Sequence, residues 1–117
     1  YGLVYPQMFP GHKRPDEKTQ QATLAWAKER AKVWMKVLDE KLIGPRNAYL
    51  CGDSLTIADY YGAPFVALAE AIRSDLSVYP NVKRWLGNMK ALKSWSKVNE
   101  VFDGYAASMK GVAFETV

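Results

Sequence analysis

Few side chains in this sequence of 117 residues have the types and spacing from which chemistry is built. The clearest group is Gly52-Asp53-Ser54-Leu55-Thr56-Ile57-Ala58-Asp59, where a hydroxyl stands three positions before a carboxyl. Asp53 and Asp59 taken as a pair would suit acid–base work or metal binding, but no histidine lies near to complete a ligand set. The same spacing makes a helix-capping box. Thr56 oxygen can accept from the Asp59 N–H while the Asp59 carboxylate reaches back to the Thr56 N–H, and Leu55 and Tyr60 can add a hydrophobic staple. Capping explains Thr56 and Asp59 completely, so they are expected to be structural. His12, the only histidine, stands in Phe9-Pro10-Gly11-His12-Lys13-Arg14-Pro15, whose prolines and glycine predict a solvent-facing loop, and no metal partners accompany it. Cys51 has no basic neighbour in sequence to lower its pKa, which predicts a small packed residue and not a nucleophile.

These residues must be held by helices. From about Asp16 to Ile43 the apolar residues Leu24, Ala27, Ala31, Trp34, Leu38 and Leu42 follow a three-and-four spacing, which predicts one long amphipathic helix. Pro15, Asp16 and Glu17 supply its start, and Gly44-Pro45 its stop. Trp26, Val33 and Val37 widen the apolar surface toward a second neighbour, and Trp26 is a candidate for an oligomer contact. Residues 56 to 73 are apolar on all sides, and no lysine or arginine falls between Arg46 and Arg73. A helix at the centre of a bundle is predicted, kinked between Tyr60 and Pro64 because proline removes a backbone donor and crowds the preceding turn.

Two shorter helices follow. Pro80 to Leu92 carries Val82, Trp85, Leu86, Met89 and Leu92 on one side; Trp95 to Met109 carries Val98, Val101, Phe102 and Tyr105, with Ser94 as its cap. By spacing the four tryptophans are mainly core. No stretch alternates with period two between turn signals, so the expected fold is all-α: a helical bundle of about five helices, one domain over residues 1–117, with no sheet.

Composition excludes other classes. With 49% hydrophobic and 24% charged residues the chain is neither disordered nor low in complexity. No uncharged run approaches the ~20 apolar residues of a membrane-spanning helix, so no membrane role is expected. The net charge of +4 raises nucleic-acid binding, but basic and acidic residues interleave from His12 to Arg46, as on solvated helix faces. Nucleic acid is therefore the last-ranked partner. A lone cysteine and no basic-then-apolar leader make a cytoplasmic setting the expectation. The chain opens on Tyr1-Gly2-Leu3-Val4-Tyr5 with no capping residue before it, which reads as a piece of something longer.

Tyr49 to Tyr60 resembles the capping-box and staple motif in the C-terminal domain of glutathione transferases. Tyr79-Pro80-Asn81-Val82-Lys83-Arg84-Trp85 is similar to the turn that opens a later helix in that family. Together with the long upstream helix the resemblance covers most of Pro15 to Met109. It implies a two-domain parent in which a thioredoxin-like domain binds glutathione, as co-substrate, and holds the thiol-activating residue. No residue here would then be catalytic, no cofactor is implied, and this chain alone would be inactive. The resemblance further implies that Tyr1 to Phe9 end a helix facing the other domain. Tyr5, Met8 and Phe9 would line the site for a hydrophobic electrophile, with Tyr60 and Tyr61 as weaker candidates. It also implies a homodimer. The motif recurs in non-catalytic relatives, so a protein-protein interaction module of the translation-factor or scaffold type is the alternative.

Overall fold

A computed structural model describes residues 1–117. Five α-helices are present: α1 (Tyr5–Met8), α2 (Glu17–Val37), α3 (Ile57–Ala71), α4 (Pro80–Lys90) and α5 (Trp95–Ser108). There is no strand, and a lone backbone bridge pairs Tyr49 with Gly52 ahead of α3. The all-α bundle expected from sequence is what forms.

Helix α2 begins where its local chemistry says it should. The extended Asp16 accepts from the Thr19 N–H at 2.8 Å and from the Thr19 hydroxyl at 2.8 Å, satisfying one of the open donors of the first turn. The backbone bond from Thr19 is the main reason the Asp16 carboxyl lies below its ordinary pKa. The far end departs from expectation. Over Leu38–Ile43 the helix widens into a π-helical turn, closed by the Gly44 N–H on the Asp39 carbonyl five residues back, 2.9 Å away. The wider turn buries both Asp39 and Ile43, and Gly44 ends it at φ 61°, a backbone angle natural to glycine.

Two apolar clusters hold the bundle. Trp85, fully buried, centres the first, with Ile43, Ala63, Val82, Leu86 and Met89 around it. Burial of such side chains is worth roughly 1.5–3 kcal/mol each before ordering costs. The second joins Leu3, Val4 and Met8 to Leu24 and Ala27 of α2 and to Ile72 after α3. The approach is close at Gly2, where a Cβ would lie 3.0 Å from that of Ala27.

Several expected core positions are not core. Trp34 and Leu42 lie on the predicted inner face of α2 yet are largely exposed, as are Trp26 and Val33. Of the four tryptophans only Trp85 is fully buried, and Trp95 is half-buried. The α3 helix continues through Pro64 and is covered on one side only: Asp59 and Ala63 are buried, while Ile57 is 81% and Tyr61 72% exposed. Its packed neighbours α4 and α5 lie on the Ala63 side, so the apolar residues opposite meet no partner. Phe102 and Ala106 of α5 and Met109 just after it pack on the second cluster, while Val98 and Val101 are exposed. Ser94 precedes α5 without forming a side-chain cap bond.

Candidate substrate-binding site

The Thr56–Asp59 pair is fully engaged in architecture. Both arms of a reciprocal capping box form at the head of α3. The Asp59 carboxylate, fully buried, takes four donors: Oδ1 accepts from the Leu50 N–H at 2.8 Å and the Trp85 indole N–H at 2.9 Å, and Oδ2 from the Thr56 N–H at 2.8 Å and the Thr56 hydroxyl at 3.1 Å. Burial acts to raise its pKa, but these bonds, the Leu50 and Thr56 backbone donors first among them, outweigh burial and hold it below the ordinary carboxylate value. A carboxylate so committed binds α3, the Tyr49–Gly52 turn and α4 together. Leu55 packs toward the Trp85 cluster, whereas Tyr60 stands half exposed.

The neighbouring groups make no reactive constellation. Cys51 is exposed, not packed as expected: its neighbours Tyr49 and Leu50 turn onto the Trp85 cluster, while Cys51, at the tip of the turn, joins neither cluster. Asp53 is exposed as well. No group of three or more histidine, cysteine, aspartate or glutamate side chains comes together in a geometry that holds a metal.

Aromatic rings gather instead where α1 meets the following turn. Tyr5 and Phe9 lie 5.3 Å apart between ring centroids, and Tyr1 packs edge-on to Tyr5 at 4.6 Å. The 3-10 turn Pro10–His12, closed by the His12 N–H on the Phe9 carbonyl at 2.9 Å, folds the imidazole back among them. Its centroid is 5.3 Å from Tyr5, 5.6 Å from Tyr1 and 6.2 Å from Phe9. From α5, Tyr105 stacks on Phe9 with the rings 5.4 Å apart and 3° from parallel, and its hydroxyl donates to the Met8 carbonyl at 2.7 Å. The polar atoms of the patch left uncommitted are the Tyr1 and Tyr5 hydroxyls and the imidazole nitrogens.

The structure thus divides the five residues expected at the site. Tyr5 and Phe9 share the patch. Met8 is 2% exposed, inside the second cluster, and underlies the patch where it was expected to line it. Tyr60 and Tyr61 stand elsewhere, at the head of α3; Leu68 and Ala71, the residues of α3 that pack on the second cluster, are about 10–15 Å further along the helix axis than Tyr61. Tyr61 pairs with Phe65, rings 5.2 Å apart.

Two members of the patch were not anticipated. Tyr105 was grouped by helical spacing with core residues, and its link to Phe9 joins chain segments far apart in sequence. His12 is solvent-exposed, as its loop implied, yet its ring is held by three aromatic neighbours. The chain after α5 is tied back to α1 and to the end of α3: Gln7 donates to the Glu115 carbonyl at 3.0 Å and accepts from the Glu115 N–H at 2.7 Å, while Arg73 donates to the Lys110 carbonyl at 2.6 Å.

Comparison with known proteins gives one assignment. The family model "Glutathione S-transferase, C-terminal domain" matches residues 5–93, a span that includes α1, the capping box and all of α4. No solved structure matches the chain significantly.

Proposed function

The chain belongs to the glutathione S-transferase C-terminal domain family, and on that premise we propose that it acts as one helical domain shaping the electrophile site of a glutathione-conjugating enzyme. The observation that carries this reading is the patch of Tyr1, Tyr5, Phe9 and Tyr105 around one histidine. Flat rings accept varied apolar substrates, and the free Tyr5 hydroxyl offers one directional contact. The patch would supply proximity and desolvation by holding an electrophile beside the glutathione thiolate, with ionisation of the thiol left to the glutathione-binding domain of the enzyme. Residues 1–117 alone are then inactive. A cytoplasmic, detoxifying role goes with this reading; no helix is long and apolar enough to cross a membrane.

The test is steady-state conjugation of glutathione to an aryl halide by the full-length protein. Tyr5→Ala and Phe9→Ala are each expected to lower kcat/KM by about 10-fold, the value of one lost aromatic contact of about 1.4 kcal/mol. Absence of both glutathione binding and conjugation overturns the enzyme reading in favour of the interaction module.

A homodimer is part of the proposal. Trp26 and Trp34 are 63% and 60% exposed on α2 with Val33 between them in sequence, and Ala25 and the stem of Arg30 extend this open apolar surface. Unpaired apolar faces of this kind mark association surfaces. Trp34→Glu is expected to raise the dimer dissociation constant at least about 10-fold, since a charge would be buried without a partner. Sedimentation of the wild-type protein as a monomer at micromolar concentration rejects the dimer.

A further inference from the structure

We propose that His12 is a specificity-determining residue of the electrophile site, selecting aromatic electrophiles that carry an oxygen acceptor, such as a nitro or carbonyl group, over purely apolar ones. The inference rests on the reading of the aromatic patch as that site. Among the rings of the patch, His12 is the one that brings nitrogen donors, and the turn that carries it is stiffened by Pro10 and closed by two backbone bonds, His12 N–H to Phe9 and Lys13 N–H to Pro10 at 2.9 and 3.2 Å. Contacts with Tyr1, Tyr5 and Phe9 at 5.3–6.2 Å restrict the imidazole to the patch. No other side chain takes its ring nitrogens. An imidazole keeps at least one N–H in either protonation state, so His12 brings a donor to the patch.

Tyr105 does not compete for this role, because its hydroxyl is already bonded to the Met8 carbonyl at 2.7 Å. Tyr1 is 81% exposed and held on fewer sides. A ring stacked on Phe9 or Tyr5 would bring a peripheral oxygen within reach of the His12 N–H. In conjugation of a nitroaryl halide, the glutathione sulfur bonds to the ring carbon bearing the halogen and the ring electrons shift onto the nitro oxygens. The charge then returns as the halide leaves with the carbon–halogen electron pair. A hydrogen bond from His12 to a nitro oxygen strengthens as that charge builds, with the proton remaining on the imidazole, and so favours the transition state over the bound substrate. A benzyl halide, with no oxygen to receive the bond, gains nothing.

The experiment compares kcat/KM of the full-length protein for a nitroaryl halide and a benzyl halide in the wild type, His12→Phe and His12→Gln. Phenylalanine keeps an aromatic ring in the cluster and removes the donor; glutamine restores an N–H. The expected result is a loss of about 10-fold for the nitroaryl halide in H12F, a several-fold smaller loss for the benzyl halide, so that the ratio of the two falls, and partial recovery of the ratio in H12Q. Equal losses for both substrates, or an unchanged ratio in H12F, overturn the role of His12 while leaving the site itself in place. A wild-type protein that conjugates neither halide removes the site reading and this inference with it.

Discussion

Asp59→Asn is expected to destabilise the protein by about 3–5 kcal/mol, a large share of the ~5–15 kcal/mol that holds a domain of this size. Each carboxylate oxygen receives two donors, Leu50 N–H and the Trp85 indole on one, Thr56 N–H and hydroxyl on the other. An amide has one accepting oxygen. Whichever way it is turned, its NH2 group faces two donors, and buried donors left without partners cost about 1–3 kcal/mol each. The loss of ionic character weakens the remaining pair. Urea unfolding of wild type and variant measures the difference; a value under about 1 kcal/mol would show that the network relaxes around the amide and that burial of Asp59 is not what ties α3 to α4. Trp85→Phe, which removes one of the four donors and keeps most of the ring volume, should fall between the two.

The same residue predicts an acid limb. Because the folded carboxyl lies below its ordinary value, its stabilising contribution is complete above the unfolded pKa of about 3.9 and is lost as pH falls through the lower folded value. The stability gap between wild type and D59N should therefore be constant above about pH 5 and narrow below about pH 4. A gap that widens on acidification contradicts the sign.

Asp39→Ala carries the second large effect, about 2–4 kcal/mol. Helix α4 opens with Pro80, which has no N–H, and its N-cap residue Tyr79 makes no side-chain cap bond. The first open donors, the Asn81 and Val82 N–H groups, go to Asp39 Oδ1 at 2.8 and 2.9 Å, and the Asn81 amide adds a bond to Oδ2 at 3.2 Å. Asp39 thus caps α4 from the π-helical turn after α2. Arg84 closes the same junction, donating to Asn81 Oδ1 at 2.7 Å, to the Gly44 carbonyl at 2.7 Å and to the Asn47 carbonyl at 3.0 Å. Alanine at 39 leaves two donors open, that of Val82 wholly buried. Asparagine keeps one oxygen that can accept from both, so D39N should lose less than half as much as D39A in the same unfolding measurement. Equal losses in the two variants would assign the effect to charge and not to the missing acceptor.

What was legible in the sequence depended on residues within a turn or two of each other. The Asp16 start of α2, the Thr56–Asp59 box, Pro80 at the head of α4 and its buried face of Val82, Trp85, Leu86 and Met89 all follow from bonds and spacings confined to one helix. Helix number, fold class and family signature are made of such local features. Tyr5, Met8 and Phe9 were named only through the family resemblance, and packing then placed Tyr5 and Phe9 among the rings and Met8 beneath them.

Tertiary structure decided the rest. Periodicity states which residues share a face of a helix, but a face is buried only if another element arrives to cover it. Trp34, Leu42, Val98 and the Ile57–Tyr61–Phe65 side of α3 satisfy the apolar pattern and remain in solvent. The π-helical turn at Leu38–Ile43 forms where burial of Asp39 and Ile43 coincides with the open end of α4, and a single-helix pattern holds no sign of that end. Tyr105 on Phe9 and Asp39 on Val82 likewise require the chain to close on itself. The sequence by itself determined the helices and the caps each carries; only their packing determined which apolar faces stay open, which carboxylate serves a distant helix, and that His12 stands among aromatic rings.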